Sequence, residues 1–204
     1  MIIVGLTGSV GTGKSTAANF FRELGAYVIN WDDLAREVVR PHTKAWKGIV
    51  QHFGKDFLNE DLTVNRERLA QTVFSDQGKV AKLNEIVHPE VSKEDERITN
   101  EIRSVDPEAL VVKDIPLLFE LTRPIRVDKT VVVSTSEQTQ LRRLEDKGMS
   151  RDDALNRIRS QLPLEEKTKR ADFVVNNDGS LEGTRRQVEA IVYALRRGTS
   201  GTQA

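Results

Sequence analysis

The sequence predicts an α/β fold, a parallel sheet covered by helices on both faces and interrupted by a helical insertion. Three observations carry the prediction. Five short runs of β-forming residues recur along the chain, at 2–6, 26–29, 109–115, 129–133 and 173–175. Helical patterns separate them. Between Pro41 and about Val105 the strand-like runs stop, and helical patterns follow one another.

Residues 2–6 are uninterrupted β-formers, as in a strand buried on both faces. Residues 14–24 read as a helix, with Gly25 just past it as its stop. A second short strand follows at 26–29, then a helix over 32–40 that ends at Pro41. Within 79–103, Val80, Leu83, Ile86 and Val87 recur at helical spacing. The strand at 109–115 ends at Pro116, and another strand spans 129–133. Ser134 and Glu137 fit a capping box for a helix that stops at Gly148. Ser150, with Asp152 and Asp153 in the first turn, starts the next helix. After the last strand, Leu181, Val188, Ile191, Val192 and Leu195 line one face of a closing helix. The small, polar tail at 198–204 is expected to be disordered. The expected division is a core of 1–40 with 106–204, and a helical insertion at 41–105.

Composition narrows the function classes. Lys plus Arg and Asp plus Glu are both 31, so the net charge is zero. That argues against a chain held to nucleic acid by bulk charge. With no cysteine, disulfide scaffolds, thiolate zinc sites and cysteine nucleophiles are excluded. The start shows no basic leader or cleavage site, and no apolar run approaches a membrane span. The expectation is a cytoplasmic protein with no membrane or nucleic-acid partner. Oligomeric state is left open.

The most informative stretch is Gly8-Ser9-Val10-Gly11-Thr12-Gly13-Lys14-Ser15-Thr16. It matches G-x-x-x-x-G-K-[ST], the P-loop, with a strand before it and a helix after it. Gly8, Gly11 and Gly13 let backbone N–H groups turn inward around phosphate oxygens, with Thr12, Ser15 and Thr16 completing the cradle. The helix N-terminus adds its positive dipole end. Lys14 reaches the β- and γ-phosphates, and the Ser15 hydroxyl is placed to ligate Mg²⁺. The pattern indicates a nucleoside triphosphate, ATP in this reading, and is silent on the acceptor.

In doubly wound sheets, ligands sit beyond the C-terminal ends of the strands. Asn30, Trp31, Asp32 and Asp33 fall there after the second strand. A kinase acting on a hydroxyl gains from a carboxylate that orients it and accepts its proton. Asp32 is the candidate and Asp33 its competitor. An aspartate before an apolar helical run is also a common N-cap, and both readings stay open.

With these residues in view, the sequence resembles the dephospho-CoA kinase family. The second element, from Asn30 to Val39, is similar to the family's D-A-D followed by I-A-R-x-V-V. Arg66, Leu69, Val73 and Phe74 match R-x-x-L-x-x-x-V/I-F, and His88-Pro89 matches H-P. Asp114 to Glu120 reads D-I-P-L-L-F-E word for word. Gln140-Leu141-Arg142-Arg143, then Arg157-Ile158 and Gln161, then ADFVVNNDGS from Ala171 to Ser180 follow in order. The resemblance implies a P-loop kinase core with a five-stranded parallel sheet, a helical substrate-binding insertion and a lid at about 141–170. It implies transfer of the ATP γ-phosphate to the ribose 3′-hydroxyl of dephospho-CoA, with Mg²⁺. It raises Asp32 to the catalytic carboxylate, places Thr7 near the reacting groups and sends Arg143 to the transferring phosphate. The departures are Asn30 for the first aspartate of D-A-D, Trp31 for its small middle residue, and Lys147-Gly148 where R-D-G is usual.

Other residues carry two readings each. Arg142, Lys147, Arg151, Arg157 and Arg159 are interleaved with Glu145, Asp146, Asp152 and Asp153, as on a solvated, salt-bridged face. Asp114 is either an acid that helps hold hydrated Mg²⁺ or a loop-facing acid. Pro116 and Leu117 either line the substrate crevice or end a strand and fill the core. His88 is a candidate substrate contact by resemblance, although a lone histidine is more often structural. Trp31 either stacks on an adenine or packs between helices. The rivals are a nucleoside or shikimate kinase of the same fold and a nucleotide-gated switch. The missing N-K-x-D element weighs against a GTPase switch.

Overall fold

In the computed structural model the elements follow the expected alternation. β1 (Ile2–Gly8) leads to α1 (Lys14–Glu23), β2 (Tyr27–Asn30), α2 (Trp31–Glu37) and α3 (Lys44–Phe53). A 3-10 turn (Lys55–Phe57), α4 (Arg66–Val73) and α5 (Gln77–Val105) come next. Then follow β3 (Leu110–Asp114), β4 (Lys129–Ser134), α6 (Glu137–Glu145), α7 (Arg151–Arg159), α8 (Leu164–Lys169), β5 (Phe173–Asn176) and α9 (Leu181–Thr199). The structure describes residues 1–73, 76–121 and 124–199, with residues 198 and 199 by backbone alone. Phe74 of the family pattern and residues 200–204 of the expected tail lie outside these. Helix α9 extends over 198 and 199.

Packing divides the chain into two compact units, Met1–Ile29 with Ile102–Ala204, and Asn30–Glu101. The first holds the sheet, five parallel strands in the order β2-β3-β1-β4-β5. β1 is central, pairing Ile2 to Leu6 with Leu110 to Asp114, and Val4 to Gly8 with Lys129 to Val133. Partners on both edges and helices on both faces explain why these strands read as apolar runs. The core joins Val4 and Leu6 of β1 to Val112, Val131, Val133 and Val175, with Ala17 and Phe21 of α1 and Val188, Ile191, Val192 and Leu195 of α9. Phe21 is wholly buried, and truncating it to alanine costs about 3–5 kcal/mol.

The second unit is helical. Ile49, Val64, Leu69 and Val73 form its core, with Val80, Leu83, Ile86 and Val87 of α5 packed against them. The unit begins at Asn30, ahead of the expected residue 41. The reason lies in α2: its Trp31 is buried and donates its indole N–H to Asp95 Oδ1 of α5 at 3.1 Å, which ties α2 to the helices that follow.

One expected cap differs. Ser134 ends β4, and the N-cap of α6 is Ser136, whose hydroxyl accepts from the Thr139 N–H. The loop after β4 is longer than the capping-box reading allowed. Ser150 caps α7 as expected, accepting from the Asp153 N–H.

Candidate active site

The bend between β1 and α1 follows from its residue types. Gly11 and Gly13 adopt φ of +78° and +81°, a region L side chains rarely enter. A Cβ on Gly13 would lie 2.2 Å from Asn177 Nδ2, so both space and backbone require glycine there. Thr12 closes the bend, with its N–H and its hydroxyl both donated to Ser9 O, at 3.2 and 2.8 Å.

The outside of the bend is clamped. Arg143 donates to Gly11 O and Thr12 O at 3.3 and 3.1 Å and to Asn177 O at 2.8 Å. Asn177 is buried and donates its amide to Thr12 O at 2.8 Å, while its own Oδ1 accepts from the Thr184 hydroxyl. Gln140 donates to Val10 O at 2.6 Å, and Val10 donates its N–H to Gln161 Oε1 at 2.9 Å. The bend's carbonyls therefore face protein donors. At the start of α1, by contrast, there is no side-chain cap and no acidic residue in the first turn. Uncapped N–H groups at the positive end of a helix dipole form an anion site.

Lys14, at that N-terminus, is ion-paired with Asp114 at the end of β3; their side chains are 16% and 3% exposed. Thr7 is buried and donates its hydroxyl to Pro116 O at 3.0 Å. Thr7, Lys14, Asp114 and Pro116 thus gather at the C-terminal ends of β1 and β3. Pro116 is half-buried, and Leu117 beside it is exposed. Ser15 is exposed and Thr16 half-buried on the first turn of α1.

A hard divalent cation needs oxygen ligands. The Ser15 hydroxyl and the Asp114 carboxylate, which touches the neighbouring Lys14, offer oxygens of this kind. No cluster of three or more His, Cys, Asp or Glu that could cage an ion exists among the described residues. A sparse oxygen set beside a phosphate cradle fits Mg²⁺, which takes one or two protein oxygens and fills its shell with water and phosphate.

Asp178, just after β5, is tied to the segment that follows β4. It accepts from the Thr135 hydroxyl, from Ser136 N at 2.9 and 3.0 Å, and from the Ser136 hydroxyl at 3.0 Å. These bonds, that from Thr135 foremost, lower its pKa to about 2.

In the second unit, Asn30 resolves the capping question. Its Oδ1 accepts from the Asp33 N–H at 3.0 Å, so Asn30, and not Asp32, is the N-cap of α2. The Asp33 carboxylate accepts from Arg36 at 3.1 Å. The Asp32 carboxylate is exposed and makes no hydrogen bond among the described residues. The Arg66 guanidinium has its pKa lowered by partial burial and by the like charge of Arg36, and raised by Asp32. Asp32 thus shares a patch with two arginines. Trp31 packs between helices. His88 is half-buried in α5, and burial lowers its pKa below the ordinary histidine value.

Sequence reasoning missed Asn177 and the two glutamines as parts of the bend. Gln140, Gln161 and Asn177 all stood in the quoted motifs, but their targets are backbone atoms far away in sequence. No local pattern names such a partner. Among the described residues, no helix is long and apolar enough to cross a membrane.

Comparisons with known proteins agree with this geometry. The sequence model of the family described as "Dephospho-CoA kinase" matches residues 2–183. A dephospho-CoA kinase of Syntrophus aciditrophicus is 46% identical over 94% of this chain and 82% of its own length. One from Carboxydothermus hydrogenoformans is 44% identical over 93% and 92%. Among solved structures, TT1252 from Thermus thermophilus superposes with a TM-score of 0.79 at 35% identity, covering 95% of this chain and 97% of that one. The dephospho-CoA kinase from Campylobacter jejuni gives 0.67 at 25% identity, covering 97% and 98%. With a P-loop built as described, and with relatives alike over nearly their whole length, the chain belongs to the dephospho-CoA kinase family.

Proposed function

We propose that the clamped bend holds the ATP phosphates and that Asp32 aligns the acceptor, so that the γ-phosphate passes to the ribose 3′-hydroxyl of dephospho-CoA, giving CoA and ADP. This is the family's reaction, the last step of coenzyme A biosynthesis. The observation that carries the reading is the polarity of the bend: its carbonyls are engaged from outside by Arg143, Asn177 and Gln140, while the first turn of α1 is uncapped.

Phosphoryl transfer needs positioning and charge stabilisation more than covalent chemistry. Lys14 supplies a point charge for the β- and γ-phosphates. Arg143 puts a guanidinium beside the bend, where positive charge offsets charge developing on the transferring group. Asp32, free of capping duty, orients the 3′-hydroxyl and accepts its proton. Thr7, Pro116 and Leu117 border the strand ends, and these residues and His88 are assigned to binding the acceptor. Ser15, with Asp114 in support, would hold Mg²⁺, which would supply charge neutralisation at the phosphates. The partners are the two small-molecule substrates, and a cytoplasmic location belongs to the same proposal.

The test is ADP release measured with and without dephospho-CoA, on wild type and Asp32→Ala, beside nucleosides and shikimate as acceptors. Dephospho-CoA should far outperform the others, and Asp32→Ala should lose about 10²–10⁴-fold in kcat with nucleotide affinity kept. Equal rates across acceptors, or full activity in the variant, would overturn the reading.

A further inference from the structure

Lys167 of α8 is a lysine with none of its side chain exposed, and its ammonium lies 2.7 Å from Glu120 Oε1. A buried ion pair is weak evidence for stability, because the desolvation cost can match or exceed the attraction. This one is also incompletely satisfied. Lys167 Nζ and Glu120 Oε2 are buried without a hydrogen bond of good geometry among the described residues, so the 2.7 Å contact is an ion pair with poor hydrogen-bond direction. Stability alone is a poor account of the arrangement.

Its connections suggest another. Glu120 Oε1, the oxygen that faces Lys167, also accepts the Leu162 N–H at 3.2 Å. The residue before Leu162 is Gln161, whose Oε1 accepts the Val10 N–H of the phosphate bend at 2.9 Å. The Val10 side chain packs on Leu141, Leu144 and Ala154 of α6 and α7. The peptide that opens the bend is therefore held at its N–H by the segment between α7 and α8, and that segment is held by the buried pair.

We infer that Glu120, fixed by Lys167, is a positioning residue that presses Gln161 onto Val10 and so sets the spacing of the phosphate cradle. The inference rests on the reading of that bend as the nucleotide site. The route is Lys167 to Glu120 by charge, Glu120 to Leu162 by hydrogen bond, and Gln161 to Val10 by hydrogen bond. The route ends at the phosphate bend, so the effect is expected in nucleotide affinity.

The experiment is calorimetric titration of ADP into wild type, Gln161→Ala, the pair variant Glu120→Leu/Lys167→Met, and the triple combination. The pair variant replaces both charges with apolar side chains, a change often tolerated at buried pairs. Gln161→Ala covers the case in which the pair variant does not fold. The expected result is a Kd for ADP raised about three- to tenfold in Gln161→Ala and in the pair variant. The triple variant should bind no more weakly than Gln161→Ala alone, because all three residues act through one link. The KM for the acceptor should stay at its wild-type value throughout. An unchanged Kd in Gln161→Ala, effects that multiply in the triple variant, or a pair variant that melts earlier yet binds ADP normally would each overturn the inference. If wild type itself bound no ADP, the nucleotide site and the inference would fall together. Binding by wild type and equally by the variants would remove only the positioning role.

Discussion

The Lys14 ammonium is seated on the Asp114 carboxylate, at the end of the strand that pairs with β1. The P-loop lysine is thus paired at the strand ends beside the bend, with 16% of its side chain exposed.

Lys14→Ala should therefore abolish transfer with the fold intact. The expected loss in kcat is about 10²–10³-fold or more, the scale of removing a preorganised donor from a transition state. Coupled ADP release together with circular dichroism checks it, and normal turnover would refute the assignment of Lys14.

Asn177→Ala removes a buried amide that holds Thr12 O and receives the Thr184 hydroxyl. Leaving those groups short of a partner costs about 1–3 kcal/mol. Both the thermal midpoint and ATP affinity should fall. A drop in the midpoint with ATP affinity unchanged would show that Asn177 serves the core and not the bend.

Trp31→Phe keeps an aromatic ring but loses the donor to Asp95. The expected loss is about 1–3 kcal/mol, read as a lower urea midpoint. Because Asp32 follows directly on the same helix, its kinetics should shift with it, as a raised acceptor KM. Wild-type stability would exclude the anchoring role of Trp31.

Asp178 predicts the acid limb of the stability profile. Its carboxyl is at about 2 in the folded protein, below the value of 3.8 for an unperturbed aspartate. A lowered folded value means that the unfolded chain binds the proton more readily, so stability is retained above about pH 4 and lost as pH falls towards 2. Asp178→Asn should flatten that limb in urea titrations. Asp178 is exposed, so solvent screening keeps the effect small. An identical acid limb in the variant would contradict the assignment.

The alternation of strands and helices was legible because each element carries its own period and stop signals. The strands at 2–6, 109–115 and 129–133 appear within a residue or two, as β1, β3 and β4. The helix read from Val80, Leu83, Ile86 and Val87 appears as α5 and passes through Pro89. The bend was legible because glycine spacing is dictated by backbone geometry. Three features were not. The cap of α2 went to Asn30 and not to an aspartate, a choice between neighbours that local propensity does not settle. Lys167 sits in Leu-Glu-Glu-Lys-Thr-Lys, which reads as an exposed helix, and its burial depends on Glu120 in a distant loop. The carbonyl partners of Arg143, Gly11 O and Thr12 O, lie more than a hundred residues away in sequence, where no local pattern names them.

The apolar side chains of α1 and α9 share one cluster with the sheet, although α9 follows every other element. During synthesis the helix that begins at the phosphate bend is made well before the helix that completes its packing. Ala17, Ala18 and Phe21 can meet the strands that share their cluster earlier, but gain their full cover only once Val188, Ile191, Val192 and Leu195 have been made. Firm seating of the helix behind the phosphate bend is thereby a late step of folding.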